Sequence, residues 1–116
     1  MMMRVTQRNP VLKLADLRQT CSLLLDEIQR RFGDQINLAD VPIDYYWNVD
    51  LAAAFDIHQG PEAHLDCGQS SDDFAEVTAA AQRGPQDVIA LWHDLDHLAG
   101  VLRLLAFLDL PTRPAR

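Results

Sequence analysis

Leu14, Leu17, Cys21, Leu24 and Ile28 step along the chain by three and four, and Phe32 closes the series. An apolar residue once per turn over about six turns makes one stripe on an amphipathic helix, and no strand accommodates that spacing. Asn9 and Pro10 read as N-cap and first helical residue. Arg30 and Arg31 suit the negative end of the helix dipole, and Gly33 suits the position after it. A helix over about residues 10–32 is the expectation.

The middle of the chain follows a different period. Pro42 ends any helix, and from Ile43 the residues alternate. Ile43, Tyr45, Trp47 and Val49 fall on one side, Asp44, Tyr46, Asn48 and Asp50 on the other. Period two with aromatic and β-branched residues predicts a half-buried strand with Tyr45 and Trp47 inward and Tyr46 outward. Asp50 is placed to cap a short turn over "LAAAF". Ala63, Leu65 and Cys67 suggest a second strand over 63–67, pairing antiparallel with 43–49. Gly68 then reads as a tight turn, with Gln69 and the serines bonding across it. Ser70 or Ser71 caps a helix that ends near Gln82, with Asp72 and Asp73 in its first turn. A last helix runs from Pro85 to about residue 109.

The expected fold is mostly helical α+β. Two long antiparallel helices and a shorter helix pack with a small antiparallel β-hairpin, in a single domain over 1–116 with flexible tails at 1–9 and 110–116. A chain of 116 residues is long enough to bury a core without staples. Cys21 and Cys67 make no disulfide framework. No signal-peptide core is visible, and no apolar run reaches the ~18 residues of a membrane span. The compartment implied is the cytoplasm.

Charge is unevenly spread. Residues 36–82 hold nine Asp and Glu and no Lys or Arg, which accounts for the net charge of −7. Such a block repels nucleic acid and raises the encounter rate with a basic protein. A soluble acidic surface without a partner is the competing reading.

Chemistry concentrates in "WHDLDH". On a helix His93 and His97 lie one turn apart on one face, a spacing that suits a divalent metal such as zinc. Comparison with H-E-x-x-H falters at Asp94, whose side chain is one methylene shorter than glutamate. A third ligand is also needed, and the spacing of His58, His64, Asp66 and Cys67 nominates none of them. Val88, Trp92, Leu95, Ala99, Leu102 and Leu105 form the expected buried stripe, which leaves His93, Asp94 and His97 on a solvated face. After Gly100 the wet face turns apolar through Val101, Leu104, Phe107 and Leu108. A helix apolar all round in a small domain points to a partner surface.

"DYYW" and "GQSSDD" resemble elements of uncharacterised small bacterial proteins that share D-x-Y-W and G-Q-x-S-D-D. The resemblance covers about residues 10–108. It implies a bacterial cytosolic protein encoded beside larger partners, and it supplies no reaction or catalytic residue.

The leading functional expectation is therefore a small acidic, non-catalytic protein-binding module, an adaptor or an inhibitor of the immunity or antitoxin kind. It would act on a basic protein partner or within a homo-oligomer, with no cofactor. Asp44, Tyr46, Asp72 and Asp73 would form its acidic recognition face, and Leu104, Phe107 and Leu108 its docking face. The alternative is a metal-binding protein using His93 and His97, with hydrolysis as the chemistry such a site would support.

Overall fold

The computed structural model describes residues 10–41, 43–58, 65–83 and 90–110. Among them the chain forms four α-helices, one 3-10 turn and a two-stranded antiparallel sheet, a mostly helical α+β fold as expected. It divides into two compact units, the first ending at Ile36 and the second beginning at Asn37.

The first unit is built on α1 (Leu14–Phe32). It starts four residues later than the sequence suggests. Lys13 holds an extended backbone before it, and no side chain caps it. Asn9, the expected cap, lies outside the described residues. The helix stops where predicted. Gly33 takes φ 88°, a conformation that favours glycine, and its N–H donates to Gln29 O at 2.9 Å. Near this end Glu27 accepts from Arg30 and Arg31 one turn away. No residue of α1 is buried, and Cys21 is an exposed free thiol.

In the second unit, a 3-10 turn over Leu38–Asp40 is capped by the Asn37 side chain, which accepts from Ala39 N at 2.9 Å. β1 (Tyr45–Val49) leads into α2 (Leu51–Ala54), where Asp50 caps as expected by accepting from Ala53 N at 3.3 Å. β2 (Leu65–Gln69) runs directly into α3 (Ser70–Arg83), and α4 (Leu91–Asp109) packs on α3. The strands pair antiparallel from Tyr45 opposite Gln69 to Val49 opposite Leu65.

Several boundaries differ from the sequence reading. β1 begins at Tyr45 rather than Ile43. β2 extends to Gln69, so Gly68 and Gln69 belong to the strand and make no turn. Ala63 and His64, the expected start of β2, lie outside the described residues, as do the start of the last helix at 85–89 and most of the two tails. α4 is seen from Leu91.

The larger difference concerns which faces point inward. Tyr45 and Trp47 are 58% and 76% exposed, whereas Tyr46 is half-buried. The alternation is present with its sense reversed, because the helices cover the side that carries Tyr46. On α4 the expected buried stripe is outward at Trp92, Leu95, Ala99 and Leu102, and Leu105 is the only one of its described residues that is buried; Val88 lies outside the described residues. His93, Asp94, Asp96 and His97 are half-buried instead. The interior holds Ala53, Gly100, Leu104 and Leu105 together with the polar residues Ser70 and Asp73. Polar contacts therefore set the orientation of the hairpin against α3 and α4.

Candidate functional site

The centre of the second unit is the carboxylate of Asp73, in the first turn of α3 and 4% exposed. One oxygen accepts from the Tyr46 hydroxyl of β1 at 2.5 Å. The other lies 2.7 Å from Nδ1 of His97 on α4. An ionised carboxylate only accepts, so Nδ1 carries the hydrogen of that bond, and in a neutral ring Nε2 is the acceptor. One side chain thus joins a strand and two helices.

Two glycines make this convergence possible. Gly68 stands opposite Tyr46 in the hairpin. A Cβ there would overlap the phenol ring and come within 2.7 Å of its hydroxyl. A Cβ on Gly100 would lie 2.7 Å from Asp73 Cγ and 2.8 Å from the Tyr46 hydroxyl. Both positions need a missing side chain because another side chain already fills the space. Burial and the bond to Asp73 raise the Tyr46 pKa well above the ordinary phenol value, so the hydroxyl keeps its proton through the neutral range.

A second carboxylate fixes the hinge between β2 and α3. Asp44 accepts from Gln69 Nε2 at 2.9 Å, from Ser71 N at 2.8 Å and from Ser71 Oγ at 3.0 Å. These bonds, the one from Gln69 foremost, lower the Asp44 pKa. The serines were the expected caps of α3. The cap on the Ser71 amide comes instead from a residue 27 positions earlier. The residues that meet here, Asp44, Tyr46, Gly68, Gln69, Ser71 and Asp73, all come from the two quoted stretches "DYYW" and "GQSSDD".

The expected recognition residues separate accordingly. Asp73 is buried, and Asp44 and Tyr46 are half-buried and hydrogen-bonded inside the unit, so Asp72 alone of the four is exposed. On the expected docking face Leu104 is 7% exposed and Leu108 half-buried, while Phe107 is exposed. An open cleft of about 860 Å³ lies between the hairpin, α2 and the two long helices of this unit. Tyr45, Trp47 and Phe55 form its apolar walls, and Asp56, Asp72 and Asp96 add negative charge; Arg103 is its one Lys or Arg among the described residues. A smaller, largely apolar recess of about 520 Å³ adjoins it, lined by Ile43, Trp47, Leu104 and Phe107.

On the far side of His97, α3 contributes a residue that the sequence reading passed over. Glu76, His93 and His97 are all half-buried, and one ligand atom from each lies within 4.8 Å of the others. The two imidazole rings stand edge to face with centroids 4.6 Å apart. Arg83 Nη2 donates to Asp94 at 2.9 Å and ties the end of α3 to the start of α4. The missed signal was a matching pair of one-turn spacings, Asp73 to Glu76 on one helix and His93 to His97 on the other. Of the third ligands considered from sequence, His64 lies outside the described residues, and His58, Asp66 and Cys67 are not in the cluster.

Among the described residues no helix is long and apolar enough to cross a membrane. No protein-family model matches the chain, and neither a curated protein nor a solved structure matches it.

Proposed function

We propose that this chain is a small acidic, non-catalytic binding protein of the cytoplasm whose cleft receives a basic side chain from a protein partner. The observation that carries the reading is the cleft, where three exposed rings stand beside three carboxylates. Aromatic faces and carboxylates together suit guanidinium, which stacks on rings and bonds carboxylates through its planar fork. Arginine flanked by apolar residues is the favoured occupant, because the adjoining recess beside Phe107 offers apolar contact. A second copy of this chain is a poor occupant, since two bodies of net charge −7 repel one another. Of the acidic residues named from sequence, Asp72 keeps a recognition role. Asp44 and Asp73 hold the scaffold that presents the cleft.

Trp47 fluorescence tests this in a Trp92→Phe background, using a hexa-arginine peptide as probe and a hexaglutamate peptide as control. Saturable quenching by the arginine peptide is expected, weakening as salt is raised. The double charge reversal Asp72→Lys, Asp96→Lys should weaken it at least tenfold. Equal affinity in that variant, or no quenching at millimolar peptide, rejects the proposal.

A further inference from the structure

We infer that Glu76, His93 and His97 form a binding site for a single first-row divalent metal ion, bridging α3 and α4. The inference stands on different residues from the cleft's recognition set, apart from His97 at the cleft edge, and holds whether or not a basic partner binds.

Donor chemistry selects the metal class. Two imidazoles and one carboxylate suit zinc, iron and their first-row neighbours, whereas magnesium and calcium prefer oxygen ligands. The geometry is close to what a metal needs. Donor atoms on a tetrahedron with metal bonds of ~2.1 Å lie ~3.4 Å apart. One ligand atom from each residue is already within 4.8 Å of the others, and a bound ion would need the side chains on the two packed helices to turn inward by the remainder. His93 and His97 point the same way because they are one turn apart on α4.

Two further features distinguish the cluster from a chance grouping. The first is the partner of His97. Metal-ligating histidines commonly donate the other ring N–H to a carboxylate, which fixes the tautomer and raises ligand basicity. Asp73 occupies that place, 2.7 Å from Nδ1, and is itself held by Tyr46. This leaves Nε2 as the nitrogen for the metal. The second is the place of Glu76, a half-buried carboxylate one turn after Asp73 on α3 that comes within 4.8 Å of a ring nitrogen of both histidines. The closest carboxylate oxygen to His93 Nδ1, that of Asp94, is 3.8 Å away, too far for a hydrogen bond. A cation among these three side chains would give Glu76 and His93 a partner and His97 a second one beside Asp73. Three protein ligands leave at least one position for water or a small anion.

The test uses full-length protein purified without a histidine tag, with zinc and cobalt as probes. One zinc per chain should survive dialysis, and cobalt should give visible d–d absorption. His93→Ala, on the more exposed of the two histidines, should weaken zinc binding at least 100-fold, and Glu76→Gln at least tenfold. Asp73→Asn should weaken it 10- to 100-fold by loosening His97. Circular dichroism confirms that each variant is folded. Zinc should raise the Tm of the wild type and leave that of His93→Ala unchanged, and millimolar calcium should not displace it. Zinc affinity that is the same in wild type, His93→Ala and Glu76→Gln overturns the inference, as does displacement by calcium.

Discussion

Glu27 on α1 and Asp73 on α3 are both carboxylates held by two donors, and they do opposite work. Glu27 meets Arg30 and Arg31 of its own helix, with every partner open to water. Asp73 meets a strand and a second helix from inside the unit. The first arrangement joins residues that the helix had already brought together. The second joins three elements at one point, between the Asp44–Ser71 bonds on one side and the Arg83–Asp94 pair on the other. Charge in water is cheap to hold and contributes little, because solvent competes for each partner. A buried carboxylate is costly to leave unsatisfied, so its bonds select one packing arrangement over others. Contact across elements, rather than charge, gives an acid structural authority in this chain.

Asp73→Ala should expose the contrast most strongly. It deletes one acceptor and leaves two part-buried donors, the Tyr46 hydroxyl and His97 Nδ1, without partners. A loss of about 3 kcal/mol is expected, from 1–3 kcal/mol per unsatisfied group. Urea unfolding followed by circular dichroism measures it. Asp73→Asn should recover only part of the loss, because its amide presents a donor to one of the two donors. A midpoint equal to wild type in Asp73→Ala would make the cluster incidental to folding.

Gly100→Ala ranks next. Two effects oppose each other. Alanine favours the helix by about 1 kcal/mol over glycine. The added methyl would collide with Asp73 and sit 2.8 Å from the Tyr46 hydroxyl, and overpacking of that kind costs about 1–3 kcal/mol. Asp73 is pinned from both sides, so the collision should win, by up to about 2 kcal/mol. An increase in Tm would show that the helix can shift to make room.

The same contrast explains what was legible in the sequence. Periodicity reports local structure, and it located α1, the hairpin, α3 and α4 to within a few residues over the described segments. It also identified the two alternating faces of β1. What it lacked was the sign. Tyr45 and Trp47 were placed inward because they are apolar on average, yet Tyr46 is the residue that the helices cover. That choice depends on a glycine opposite it in the other strand and a carboxylate 27 residues later, neither of which any local pattern contains. The histidine pair was readable for the same reason as the helix, by spacing within one element. Glu76 was not, because only the packing of α3 on α4 brings it near.

Tyr46→Phe removes one bond and keeps the ring, so a loss of about 1 kcal/mol is expected. Its pH dependence is more informative. The folded-state phenol pKa is raised above its ordinary value of 10.0, chiefly by burial and then by the bond to Asp73. A raised pKa contributes stability that is complete below the unfolded value and is lost as pH climbs toward the folded one. Wild type should therefore lose its advantage over Tyr46→Phe above pH 10. If the gap between the two stays constant from pH 8 to 11, Tyr46 is not held in the protonated form by the fold.

Glu27→Gln is the smallest effect and the control for all the others. Hydrogen bonds from Arg30 and then Arg31 bring the Glu27 pKa down to about 2. A lowered pKa gives stability that is present above the ordinary carboxylate value and fades as pH falls toward 2, the reverse of the Tyr46 case. The groups are exposed, however, and both arginines are already positioned by the helix. Solvent and salt screen the attraction, so Tm at pH 7 and physiological salt should match wild type. A difference should emerge only at low ionic strength, and it should vanish as acid protonates the carboxylate. A large loss at physiological salt would mean that this pair carries weight across elements as Asp73 does, and the distinction between the two carboxylates would fail.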